Sequence, residues 1–61
     1  MDLVSLGDYI KQRRTGLGLT QAQLSEGICD TTTVSRIERG EQDPRHNTVI
    51  ALLERLGAPY D

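Results

Sequence analysis

Apolar residues recur along this chain at helical intervals, the spacing that places them on one face of a helix. Leu6, Ile10 and Leu17, with Tyr9 flanking, predict a first helix over Leu6–Leu17. Ser5, with Asp8 three residues on, reads as its cap, and Met1–Val4 as a lead in which Leu3 and Val4 could pack. Gly16 and Gly18 end this helix, and Leu19 anchors the connection that follows.

The stretch from Thr20 to Gly40, TQAQLSEGICDTTTVSRIERG, carries two more short helices. Thr20 followed three residues later by Gln23 is a capping-box pattern, in which the hydroxyl takes one orphan N–H and the Gln side chain reaches back to another. Gly27 limits the helix it starts. Ala22, Leu24 and Ser25 are small or apolar where two short helices must cross, and Ile28 fills the core after the turn. Asp30 is then expected to cap a helix over Thr31–Arg39, with Gly40 as its left-handed stop.

This third helix has two computable faces. At about 100° per residue, Val34 and Ile37 fall on one side with Glu38 at its edge. Thr32, Arg36 and Arg39 fall opposite, with Ser35 beside them and Thr31 in the exposed first turn. Arg can bind two acceptors on a guanine edge, and Thr or Ser can meet bases or phosphates. A solvated helix face of no further use has the same composition, so both readings stand at this point. After the loop EQDPRHN, Val49, Ile50, Leu52, Leu53 and Leu56 form a broad apolar stripe on a fourth helix over His46–Leu56, ended by Gly57. The expected core is Leu6, Ile10, Leu24, Ile28, Val34, Ile37, Ile50, Leu53 and Leu56.

Composition narrows the choice. Sixty-one residues allow one all-α domain, and with two Tyr as the only aromatics its core must be Leu, Ile and Val. A lone cysteine, Cys29, permits no internal disulfide, and a lone histidine, His46, builds no metal site, so no metal or cofactor is expected. Cys29 reads as a small, partly buried turn residue, with no basic neighbour in sequence to activate it. No run suggests a membrane span or signal peptide, and a cytoplasmic location is expected. No clustered His/Asp/Glu constellation, phosphate-cradling loop or nucleophile–base spacing suggests an enzyme. The net charge of −2 argues against a strongly basic nucleic-acid binder. The cations Lys11, Arg13, Arg14, Arg36, Arg39 and Arg45 nevertheless lie in or beside the central stretch, while Asp2, Asp8, Glu54 and Asp61 lie toward the ends. A local positive face on an acidic domain implies modest, salt-sensitive affinity.

LTQAQLS followed by VSRIERG resembles the helix-turn-helix of the phage Cro/repressor (xenobiotic-response-element-like) family and its bacterial relatives. The resemblance continues through LGDYIKQRR upstream and through DP and TVIALLERLG downstream, so it covers nearly the whole chain. One departure is the linker GICD, a residue shorter than in the best-known phage repressors and similar to that of some Gram-positive peptide-sensing regulators. The resemblance implies a lambda-repressor-like bundle of four to five helices, with APYD at 58–61 opening the fifth. It implies a single DNA-binding domain over 1–61, the N-terminal part of a longer transcriptional regulator. The helix 31–39 would enter the major groove of double-stranded DNA, with Thr31, Thr32, Ser35, Arg36 and Arg39 at or near bases. Gln21, Thr33, Arg45, His46 and Asn47 would hold phosphates, the last three around the start of the fourth helix. In the family the residues matching Arg14 and Glu38 form an internal ion pair, and both positions point inward here. Relatives bind palindromic sites as dimers, some answering a peptide or protein effector through a region outside this chain. Some proteins of this fold have lost DNA binding and serve as protein-interaction modules, the alternative that the acidic net charge keeps in play.

Overall fold

The computed structural model describes residues 3–57, with side chains from Leu6 onward. The termini, including the proposed fifth-helix start at 58–61, lie outside the described residues. Thr20 and Gln23 form the reciprocal capping box: Gln23 N–H donates to Thr20 Oγ1 at 3.0 Å, and Thr20 N–H donates to Gln23 Oε1 at 2.8 Å. Two of the orphan donors at a helix start are thereby satisfied by adjacent sequence alone.

The described residues form four helices, α1 (Leu3–Gly16), α2 (Gln21–Ser25), α3 (Thr31–Glu38) and α4 (His46–Arg55), and no strand. α1 begins earlier than its spacing predicted, so Ser5 lies inside the helix rather than at its cap. It also ends earlier: Leu17 falls in the following turn and is 53% exposed, the one large hydrophobic among the described residues left in solvent. Asp30 occupies the N-cap position of α3 but makes no side-chain cap bond, contrary to expectation. The other end of α3 behaves as expected. Gly40 adopts φ 73°, its N–H donates to Ile37 O at 3.0 Å, and Glu41 N–H donates to Arg36 O at 2.9 Å. This is the Schellman closure that a left-handed glycine permits.

α3 packs against both α1 and α2, and α2 also packs against α4. The buried core is Ile10, Leu24, Val34, Ile37, Val49, Leu52, Leu53 and Leu56. Leu6, Tyr9, Leu19, Ile28 and Cys29 close around it as partly buried neighbours. Three expectations are corrected: Leu6 and Ile28, expected inside the core, are only half-buried at its margin. On α4 the core takes Val49 and Leu52, while Ile50 is half-buried. On α2 Leu24 and Ser25 are buried but Ala22 is exposed. The Ser25 hydroxyl donates to Ala22 O at 3.1 Å, which satisfies a polar group at the crossing.

Two arginines fasten helix ends to their neighbours. Arg55 Nη1 donates to Gln23 O at 3.2 Å and to Glu26 O at 2.5 Å, at the C-terminal end of α2. Arg13 Nη2 donates to Leu56 O at 3.4 Å, just past the end of α4. A cation at a helix C-terminus meets unpaired carbonyls and the negative end of the dipole. Gly7 lets α1 lie directly on the end of α3: a Cβ there would collide with the Ile37 carbonyl oxygen and sit 2.9 Å from that of Glu38.

Candidate nucleic-acid interface

A short helix can present side chains to a partner only if its other face is fixed. Val34 and Ile37 are buried, and Glu38, expected at the edge of that face, is itself buried with 7% exposure. Glu38 is held by α1 and α2. Arg14 Nε donates to its Oε2 at 2.6 Å, Arg14 Nη2 to its Oε1 at 3.1 Å, and Gln21 Nε2 to the same Oε1 at 3.0 Å. A third arm of the guanidinium, Nη1, donates to Leu19 O at 2.8 Å. The network ties α1, the α1–α2 connection, α2 and α3 together at one buried carboxylate. No buried side-chain polar atom among the described residues lacks a partner.

With that face locked, the opposite side of α3 is presented outward. Thr31, Thr32, Arg36 and Arg39 are exposed, while Thr33 and Ser35 are half-buried at the flanks. Arg36 makes no ion pair among the described residues. Arg39 Nε lies 3.3 Å from Glu41 Oε2, with both side chains 57% exposed. Such a solvated pair is worth little and exchanges partners easily. The Thr31 hydroxyl is 3.4 Å from that of Ser25, so the first turn of α3 is tethered to the end of α2.

The remaining candidates fall in two places. Gln21 opens α2, half-buried, with its amide nitrogen on Glu38. Arg45, His46 and Asn47 are exposed at the start of α4, where Arg45 holds the N-cap position without a side-chain cap bond. Among the seven Lys and Arg residues, Arg13, Arg14 and Arg55 are spent on internal acceptors and Arg39 on Glu41. Lys11, Arg36 and Arg45 remain without such partners among the described residues. Sequence position did not reveal the carbonyls that hold Arg13 and Arg55, because those acceptors are 43 and 29–32 residues away. The bond of Gln21 to Glu38 had one local signal, a polar residue at the first position of a helix whose neighbour Leu24 faces inward.

Other chemistry is sparse. Burial pushes the Cys29 thiol above its ordinary pKa, and the adjacent Asp30 carboxylate adds to the rise, so this half-buried cysteine is a poor nucleophile. Among the described residues no group of three or more His, Cys, Asp or Glu is placed to hold a metal ion, and no helix is long and apolar enough to cross a membrane.

No curated protein matches the chain. A family model described as helix-turn-helix matches residues 10–61, and the chain belongs to that family, of the Cro/C1 type. Membership points to a DNA-binding transcriptional regulator, in a family that is generally non-enzymatic.

Proposed function

We propose that this helix-turn-helix protein binds double-stranded DNA sequence-specifically, as the DNA-reading domain of a transcriptional regulator working in the cytoplasm. The observation that carries the reading is the division of α3. Val34, Ile37 and Glu38 are locked inside, while Thr31, Thr32 and Arg36 stand exposed on the other side, with the Arg36 guanidinium unpaired among the described residues. A helix so held can enter the major groove as a rigid probe, with Thr31, Thr32, Ser35, Arg36 and Arg39 at or near base edges. Gln21, Thr33, Arg45, His46 and Asn47 set the register on the phosphates. No catalysis is part of this reading.

The domain acts on palindromic DNA as a dimer that is weak or absent in free solution. Leu17 is the lone exposed large hydrophobic among the described residues, so they carry no apolar face of the size an obligate interface needs. Selecting bound sequences from a random duplex pool tests the whole reading: a recovered consensus with two inverted half-sites supports it, and a pool that stays random overturns sequence-specific binding.

A second reading, a protein-interaction module on the same fold, is favoured by one observation. Among the described residues only Lys11, Arg36 and Arg45 of seven cations are left without internal acceptors or a close carboxylate, on a chain of net charge −2. Absence of any salt-sensitive duplex binding would make this the better account.

A further inference from the structure

We infer that Glu38 is a positioning residue for DNA binding, which acts by holding the Gln21 side-chain amide in the one orientation that offers an N–H to a phosphate. The inference rests on the reading that Gln21 meets the DNA backbone. Its own ground is the half-buried bond from Gln21 Nε2 to Glu38 Oε1 at 3.0 Å.

A primary amide has a donor end and an acceptor end of nearly the same shape. Free in solvent, Gln21 would present either end to an approaching phosphate, and its carbonyl oxygen would be repelled. A carboxylate beside it removes the choice, because an ionised carboxylate only accepts. The Arg14 guanidinium grips both oxygens of that carboxylate, with Nε and Nη2 donating at 2.6 and 3.1 Å. The nitrogen of Gln21 therefore faces inward, one of its hydrogens is used by Glu38, and the second is left for an external acceptor. Burial fixes the assembly further: the Glu38 side chain is 3% exposed and that of Arg14 12%. The ordering of a flexible Gln side chain, which otherwise opposes binding, is thus completed during folding. The ion pair and the phosphate contact become one device, in which Arg14 holds Glu38 and Glu38 holds Gln21.

The test uses the whole chain and a short random-sequence duplex at low salt, since a phosphate contact does not depend on sequence. Gln21→Ala is made in two backgrounds, the natural chain and a double variant, Arg14→Leu with Glu38→Met, which leaves no buried charge unpaired. Gln21→Ala alone is expected to weaken binding by about tenfold, the range of one charge-assisted hydrogen bond. The double variant, shown folded by its thermal transition, should lose nearly as much, and adding Gln21→Ala to it should cost almost nothing more. A folded double variant that binds as tightly as the natural chain overturns the inference, as do losses that multiply independently. If Gln21→Ala alone is silent, the phosphate reading of Gln21 has failed and the inference falls with it. Should the double variant not fold, side-chain amide resonances of the natural chain decide. One fixed Gln21 rotamer in the free protein, retained on the duplex, supports the positioning role, and rotamer averaging in the free protein overturns it.

Discussion

Arg14 and Glu38, 24 residues apart, meet as a two-pronged pair, Nε to Oε2 at 2.6 Å and Nη2 to Oε1 at 3.1 Å. The planar fork of the guanidinium matches the carboxylate, which also accepts from Gln21 Nε2, while Arg14 Nη1 donates to Leu19 O. Removing either partner strands the other charge in a nearly dry site. Arg14→Leu or Glu38→Met alone should therefore cost about 3–5 kcal/mol of stability, and the two together much less. A double-mutant cycle in urea checks this; coupling energy near zero would show that the pair contributes nothing as a unit.

Two glycines of α1 should respond oppositely to the same change. Gly7→Ala places a methyl group against the backbone carbonyls of Ile37 and Glu38, which cannot rotate away, so α1 must lift from α3 at a cost of about 1–3 kcal/mol. Gly16→Ala, with nothing within 4 Å of the added carbon, should be stabilising by about 0.4–1 kcal/mol. Melting temperatures of both variants decide the point.

On a selected duplex, Arg36→Ala should cost about 1–3 kcal/mol and relax preference at one base position. Arg45→Ala, proposed at a phosphate, should weaken selected and random duplexes by the same factor. Equal ratios for both variants in a competition assay would remove Arg36 from the bases.

Salt dependence should be shallow for a DNA-binding domain. With Lys11, Arg36 and Arg45 as the cations not otherwise engaged among the described residues, the slope of log affinity against log salt should be no steeper than about −3 per domain. Arg45→Ala should reduce it by about one unit. A slope more than twice as steep would mean that Arg13, Arg39 or Arg55 leaves its partner in the complex.

Cys29 should be slow to alkylate in the folded chain at pH 8, because burial, and after it the Asp30 charge, raises its pKa and lowers its thiolate fraction. The sign for stability follows. Unfolded Cys29 loses its proton first, so stability falls as pH rises past about 8.5, and Cys29→Ser removes that dependence. Iodoacetamide kinetics with and without denaturant measure the first effect, and urea titrations at several pH values the second.

Much of the fold was legible because its signals are local. The Thr20–Gln23 box and the Gly40 stop each involve partners within a few residues, and the two faces of α3 follow from helix geometry alone. The identity of the Arg14–Glu38 pair came from resemblance to a known family, and the structure supplies its geometry. What the sequence could not decide is which neighbour covers which edge of a face. The apolar stripe of α4 spans Val49, Ile50, Leu52, Leu53 and Leu56, wider than its contacts can cover, and packing buried Val49 and Leu52 more deeply than Ile50. The same holds for polar groups. Asp30 had the right type and place for a cap and makes no such bond, whereas Gln21 turned inward to a carboxylate 17 residues away. Sequence by itself determined where each helix surface is apolar, because that depends on angles about its own axis. Only the tertiary structure decided which cations remain free for a partner, because Arg13 and Arg55 are held by carbonyls that folding brings to them from distant turns of the chain.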